Sequence, residues 1–257
     1  MHHTISGRYP LPVRGAMYDR LSKAELATLD GISSATASAT LHRMGVRNTF
    51  IHGPRAMAAG QRAVGNALTL QFMPQRDDIA SGESQEYIES KTALWAVFDA
   101  ATEGDMLVIQ ANGDPDTGCV GEMLVSYLKT QGGVGAVIDG CVRDWPRVSE
   151  IDLPIWASGT TPNYASQGLL FPWAYDVPVA VGGALVLPGD AIIADDDGAV
   201  VIPQQLVADL AAESSRTSEW EAFSRSRIDA GGSLRKYYPL SAEAKLEYDS
   251  WKHSSRL

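Results

Sequence analysis

The run Asp105–Ile138 changes hydrophobic period twice, and it constrains the fold more than any other stretch of the chain. Asp105 to Gln110 (Asp-Met-Leu-Val-Ile-Gln) reads as a short apolar strand. Asn112-Gly113-Asp114-Pro115-Asp116-Thr117-Gly118 is a loop of turn formers. Cys119 to Gln131 carries Val120, Met123, Leu124, Tyr127 and Leu128 at i, i+3, i+4, i+7 and i+8, the spacing of one helix face. Gly132-Gly133 ends that helix. Val134 to Ile138 is apolar without alternation, as a strand covered on both faces requires. A β-α-β crossover is right-handed and joins parallel strands, so the chain is expected to be α/β.

The flanking sequence fits around this unit. Helices are predicted over Ser22–Asp30 and Ser33–Met44, the second with Ser34 as N-cap and Gly45 as stop. Ala63 to Met73 has a strand pattern, with Leu68, Leu70 and Phe72 alternating with polar or small residues. Met73 to Asp78 reads as a loop, and Glu86 to Thr102 as one helix stopped by Gly104. Short strands are expected at Leu153–Ala157, Val177–Val181, Ala184–Leu187, Ala191–Ala194 and Ala199–Ile202, punctuated by glycine, proline and aspartate turns. Pro203 opens a long polar helix to about Asp229. The remaining tail holds Tyr237, Tyr238, Tyr248 and Trp251, a surface another subunit could meet. The organisation expected is an irregular arm over residues 1–20, one catalytic domain over 21–210 and a helical tail over 211–257.

Parallel strands bring their C-terminal ends to one edge, where ligands of open α/β sheets sit. The 112–118 loop, the start of the helix carrying Glu122, and Arg143-Asp144 after the second strand all fall at that edge. The helix start offers free N–H groups and a positive dipole end to an anion. Gly118 and Gly121 leave room for a ligand to approach the backbone, and Arg143 can grip a carboxylate in fork geometry. Asp144 and Glu122 are hard oxygen donors, suited to Mg2+ or Mn2+. The plainer reading is a surface Arg143–Asp144 pair with Glu122 complementing the helix dipole. Asp195-Asp196-Asp197 resembles a calcium loop only superficially and reads as a polar hairpin turn. His42 and His52 have no partner at ligand spacing.

Composition excludes some classes of function. The formal net charge is −10, with no Lys/Arg block, which argues against an extended nucleic-acid surface. No apolar run reaches the roughly 18 residues of a membrane span, and the first residues lack a signal peptide's apolar segment. The expectation is a cytoplasmic protein. Cys119 and Cys141 have no zinc-type spacing and read as two reduced, partly buried thiols.

Gly121-Glu122, followed by Gly135-Ala-Val-Ile-Asp-Gly-Cys-Val-Arg143-Asp144, resembles the RraA-like family. Its pattern is an acid, twenty intervening residues, then Arg-Asp; here residues 123 to 142 separate Glu122 from Arg143. Ser33–Gly45, Pro154–Pro162 and Val179–Ile202 are similar to further family segments, with Pro188-Gly189-Asp190 and Ala194-Asp-Asp-Asp-Gly-Ala-Val-Val-Ile-Pro203 matching its C-terminal strands. The resemblance covers roughly residues 20 to 210.

The resemblance implies a layered α/β sandwich with a β-α-β core of swivelling-domain type, N-terminal helices and a C-terminal helical arm. It implies a homotrimer or homohexamer with active sites at subunit interfaces. Family members include class II pyruvate aldolases, which use Mg2+ or Mn2+ and commonly decarboxylate oxaloacetate, and a regulator of ribonuclease E activity. Carried over, Arg143, Glu122 and Asp144 are the catalytic residues. Asp144 and Glu122 hold the metal, Glu122 through water. Gly121, Glu122, Met123, Leu124 and Arg143 bind a small 2-oxo acid. Neither nucleic acid nor membrane is an expected partner.

Three departures qualify this. Glu122 stands where many members have Asp. Ser158 stands where aldolases often have a basic residue, and Ala39 where an Asp is common. They suggest a substrate other than the best-known tricarboxylic ones, such as a sugar-acid-derived 2-oxo acid. A non-catalytic regulator is the alternative, and a hydratase using the same enolate a third.

Overall fold

The computed structural model describes residues 10–76, 79 and 85–254. Residues 1–9 of the expected N-terminal arm and Asp77-Asp78 of the expected loop lie outside them. The chain forms two compact units, Met1–Ala208 and Asp209–Leu257.

The first unit is built on one large mixed sheet. Its strands are β1 Val13–Arg14, β2 Phe50–Ile51, β3 Arg55–Ala56, β4 Ala63–Pro74, β5 Asp105–Gln110, β6 Gly118–Val120, β7 Gly135–Val142, β8 Ile155–Thr160, β9 Leu170–Tyr175, β12 Ala191–Asp195 and β13 Gly198–Ile202. A separate hairpin joins β10 Val179–Val181 to β11 Ala184–Val186. The main order is β2-β13-β12-β4-β5-β7-β8-β3. β4, β5, β7 and β8 run parallel at its centre, with β6 parallel to the far end of β7. β4 pairs antiparallel with β12 along its first half and with β9 along its second.

The central strands are covered on both faces. Leu68, Leu70, Leu107, Ile109, Ala136 and Ile138 face one core, with Leu94, Val97, Phe98, Val125 and Leu128 from the helices Ala93–Asp99 and Glu122–Thr130. The alternate residues Ala67, Met106, Val108, Val137 and Trp156 face a second core, closed by Val179, Val181, Ala184 and Val186 of the β10–β11 hairpin. Alternation along buried strands therefore divides two apolar layers instead of separating core from water. The fold is the layered α/β sandwich that the family resemblance implies.

Several expectations need correction. The N-cap of the Ser34–Arg43 helix is Ser33: its backbone is extended and its hydroxyl accepts from Thr36 N at 3.1 Å. Ser34 is already helical and donates through N and Oγ to Asp195. The expected helix Glu86–Thr102 is two helices, Gln85–Lys91 and Ala93–Asp99, broken where extended Thr92 caps the second. The helix expected from Cys119 starts at Glu122, because Gly118–Val120 are drawn straight by pairing with β7. β7 continues past Ile138 to Val142, and β9 is a strand the sequence reading omits. The Asp195–Asp197 segment is the polar turn between β12 and β13, with Asp195 accepting from Ser34 and Asp196 from Gly60 N.

The second unit contains most of the helix Val207–Asp229 and the helices Leu234–Tyr237 and Ala242–Ser254. Fully buried Phe223 is its centre, with the Tyr248 and Trp251 rings each 5.6 Å away and Tyr237 at 6.1 Å. These tail aromatics make the unit's own core; Tyr238 stays exposed.

Candidate active site

β5, β6 and β7 are parallel, so their C-terminal ends share one edge. A cavity of about 620 Å³ opens there, and Gly121, Glu122, Met123, Leu124, Arg143 and Asp144 all line it. The β6 pairing brings them together: Arg143 N donates to Val120 O at 2.9 Å, fixing the end of β7 beside the helix start.

The helix Glu122–Thr130 has Gly121 as N-cap and no side chain capping it. Its first intrahelical bond is Val125 N to Gly121 O, so the N–H groups of residues 122–124 are left over at the cavity. Glu122 is the first helical residue, and its Oε2 sits 3.1 Å from Arg147 Nη1. Its arginine partner is thus Arg147 and not Arg143. Met123 is largely exposed at the rim.

Arg143 Nε lies 3.2 Å from Asp144 Oδ2, close enough for charge pairing. The N–H direction misses that oxygen, however, and Nε is buried without a hydrogen-bond acceptor among the described residues. Such an orphaned charged donor is costly unless a ligand meets it. Asp144 adopts a left-handed backbone, φ 57°, at the start of the short helix Trp145–Val148, and its carboxylate caps nothing. The turn holds that carboxylate beside Arg143 instead.

The glycines act differently from the sequence expectation. A Cβ at Gly121 would stand 2.8 Å from Asp144 Oδ2 and 2.9 Å from Arg143 Cγ, whereas one at Gly118 would run first into the carbonyl oxygen of Asn163. The space at Gly121 is filled by Arg143 and Asp144, and that at Gly118 chiefly by the Asn163 backbone.

Glu89 is the functional candidate that sequence reasoning missed. It lines the same cavity, and its Oε1 accepts from Gln85 Nε2 at 2.8 Å. Burial pushes its carboxyl up, while the Gln85 hydrogen bond and the Arg143 charge pull it partway back. It comes from a helix distant in sequence from the Gly-Glu and Arg-Asp motifs, so no spacing signal connects them. Asp139 and Asp190 are also pushed up by burial, but backbone N–H groups of Gly182 and of Leu187 and Gln204 hold them. Cys119 and Cys141 are free and buried, and burial raises both thiols.

Among the described residues, no group of three or more His, Cys, Asp or Glu side chains is arranged to hold a metal ion. Mg2+ does not need one, since it keeps several waters and takes one or two carboxylates. Asp144 and Glu122 are hard donors in one cavity, and Asp144 has no capping role to compete. That donor set fits a hydrated Mg2+ or Mn2+ and suits zinc poorly. No described helix is long and apolar enough to cross a membrane.

The sequence model of a family described as RraA-like (Aldolase/RraA) matches residues 28–201. A Halalkalibacterium halodurans protein named as a candidate 4-hydroxy-4-methyl-2-oxoglutarate aldolase is 34% identical over 143 residues, 56% of this chain and 60% of that protein. Protein DlpA of Legionella pneumophila is 24% identical over 212 residues, 82% of this chain and 32% of that protein. The chain thus spans less than two thirds of either relative. Among solved structures, Streptomyces coelicolor RraAS2, described as an unusual member of the RNase ES inhibitor RraA protein family, is 50% identical with a TM-score of 0.75. The match covers 81% of this chain and 99% of that one. An uncharacterized protein from Pseudomonas syringae pv. tomato shares the fold, with a TM-score of 0.71 at 24% identity over 86% of this chain and 99% of that one.

Proposed function

The chain belongs to the RraA-like family, and from that premise we propose a divalent-metal-dependent carbon–carbon lyase that cleaves a 4-hydroxy-2-oxo acid to pyruvate and a second carbonyl compound. Oxaloacetate decarboxylation is its companion activity. The observation that carries the reading is the buried, acceptor-less Nε of Arg143, held at the cavity beside Asp144 and an uncapped helix N-terminus. The aldolase name of the 34% identical relative agrees with it.

In this reading the C1 carboxylate lies against the N–H groups of Glu122, Met123 and Leu124, where the helix dipole favours an anion. Arg143 reaches the C1–C2 region and stabilises the oxyanion that grows on the C2 oxygen as the C3–C4 bond breaks. Asp144 and Glu122 would hold a Mg2+ or Mn2+, which would supply Lewis acidity to the developing oxyanion. The proton leaving the C4 hydroxyl needs an acceptor. Glu89 is the cavity carboxyl with raised proton affinity, and it takes that proton directly or through water. The polypeptide is proposed to work as a cytoplasmic homotrimer or homohexamer.

The test is pyruvate release from oxaloacetate and a panel of 4-hydroxy-2-oxo acids, with Mg2+ or Mn2+ and again with chelator. Metal-dependent pyruvate that disappears in Arg143→Ala supports the lyase. Full activity in Arg143→Ala sinks the assignment.

A second reading is favoured by RraAS2, whose description places it in a ribonuclease-inhibitor family at 50% identity. Under it the protein binds a ribonuclease or another protein partner without turnover. It predicts binding that neither chelator nor Arg143→Ala disturbs.

A further inference from the structure

The two carboxylates proposed as metal donors come from different elements, and each stands beside its own arginine. Asp144 Oδ2 is 3.2 Å from Arg143 Nε. Glu122 Oε2 accepts from Arg147 Nη1 at 3.1 Å. The backbone that carries Arg147 is firmly set. Its N–H and that of Val148 donate to Asp144 O at 2.9 and 3.0 Å. Pro146 restricts the chain just before it, and Val148 is buried in the core just after it. The backbone of Glu122 is set as well, since Val125 N bonds to Gly121 O and Val125 and Leu128 are buried along the helix. The glutamate side chain keeps its torsional freedom unless something holds the carboxylate. Among the described residues Arg147 does so. Both residues belong to one chain, so the pair needs no neighbouring subunit to form.

We propose that Arg147 is a positioning residue of the metal site: by holding Glu122 Oε2 it leaves Oε1 as the donor oxygen for a hydrated Mg2+ or Mn2+. This rests on the lyase reading and adds the residue that orients its second donor. Partners of ligating carboxylates act in this way because they remove freedom that a flexible ligand otherwise loses when the metal binds. The competing role is an ordinary surface ion pair. The Arg147 side chain is 75% exposed, and pairs of that kind contribute little by themselves. The two roles differ in sign. The charge of Asp144 acts on Arg147 as well as that of Glu122, so the guanidinium is near enough to the site for its deletion to be felt. If only charge matters, deleting a cation from a chain of net charge −10 strengthens its attraction for a dication. If Arg147 positions Glu122, the same deletion frees the carboxylate and weakens metal binding.

The experiment separates metal binding from turnover. Mn2+ binding to the full-length protein, without substrate, is followed by the electron paramagnetic resonance of free Mn2+. Wild type is compared with Arg147→Gln, Arg147→Lys, Glu122→Ala and the double variant Arg147→Gln/Glu122→Ala. Arg147→Gln is expected to raise the Mn2+ Kd by about three- to tenfold, below or at the low end of the range for such partners because the arginine is exposed. Arg147→Lys, which keeps the charge without the fork, should recover part of the loss, and it carries the test if Arg147→Gln does not fold. With Glu122→Ala already present, Arg147→Gln should change Kd by less than about twofold, since no carboxylate is left to position. In turnover, the Mn2+ concentration for half-maximal pyruvate release should rise by the same factor as Kd. Unchanged or tighter Mn2+ binding in Arg147→Gln overturns the inference, as does an equal loss in the Glu122→Ala background. The expected pattern of Kd values with no pyruvate from any substrate supports the positioning role and sinks the lyase. Metal-dependent pyruvate with an unmoved Kd in Arg147→Gln does the reverse. A wild-type protein that binds no Mn2+ overturns both.

Discussion

At the scale of single residues, the site works by crowding charges that would otherwise be apart. Gly121 is the clearest case, because its φ of −132° suits any residue and only contact requires glycine. Gly121→Ala is therefore expected to cost about 1 kcal/mol of stability, since alanine is the poorer N-cap, without unfolding the protein. It should lower kcat by about 10- to 100-fold, the usual consequence of displacing a catalytic group by a fraction of an ångström to an ångström. Steady-state kinetics beside a melting curve decide it; wild-type kcat would mean Arg143 and Asp144 need no such proximity. Glu89 carries a pH prediction. Its carboxyl is raised by burial, so as pH falls it takes up a proton earlier than an ordinary carboxyl does, and a base role is lost at that point. The acidic limb of the kcat/KM profile should lie above the ordinary glutamate range and shift or vanish in Glu89→Gln. An unmoved limb in that variant assigns it to another group.

At the scale of elements, most of the frame was legible because it rests on local signals. β5 has the predicted bounds, and the strands from Val179 to Ile202 lie within a residue or two of expectation, since glycine, proline and aspartate turns delimit them. What was illegible was set by contacts distant in sequence. Cys119-Val120 falls within the expected helix but is extended by the pairing of Gly118–Val120 with β7. Asp139-Gly140 reads like the end of a strand. Yet a Cβ at Gly140 would stand 2.8 Å from Ala111 Cβ and 3.0 Å from Cys119 Sγ, so this glycine marks close packing within a continuing strand. The Glu122 and Arg143-Asp144 part of the site was visible through its β-α-β placement, whereas Glu89 depends on how the Gln85–Asp99 region breaks and packs. Thr92 makes that break, its Oγ accepting from Leu94 N at 3.4 Å while nearly fully buried. Thr92→Ala should cost about 1 kcal/mol of stability, as loss of an N-cap does. It should also speed hydrogen exchange in the first turn of the Ala93–Asp99 helix; unchanged exchange there would show that packing alone fixes the break.

At the scale of the whole molecule, the net charge of −10 opposes Arg143, the one cation among the described residues that line the cavity. An anionic substrate approaches through a repulsive field, then meets Arg143 at short range. Salt acts unequally on the two. The screening length contracts from about 30 Å at 0.01 M to about 8 Å at 0.15 M, which removes the long-range repulsion, while a partly buried pair in contact is screened much less. For the lyase, KM for oxaloacetate should therefore fall by about two- to threefold over that range at fixed saturating Mg2+, with kcat steady. The regulatory reading predicts the opposite sign. A basic protein partner drawn to an acidic surface loses affinity as salt rises. One salt series, read once as KM and once as affinity for a basic partner, thus tells the two apart without presupposing either. A KM that rises with salt would mean that Arg143 is exposed enough to be screened with the rest. The buried orientation of its Nε, on which the catalytic assignment depends, would then not describe the working protein.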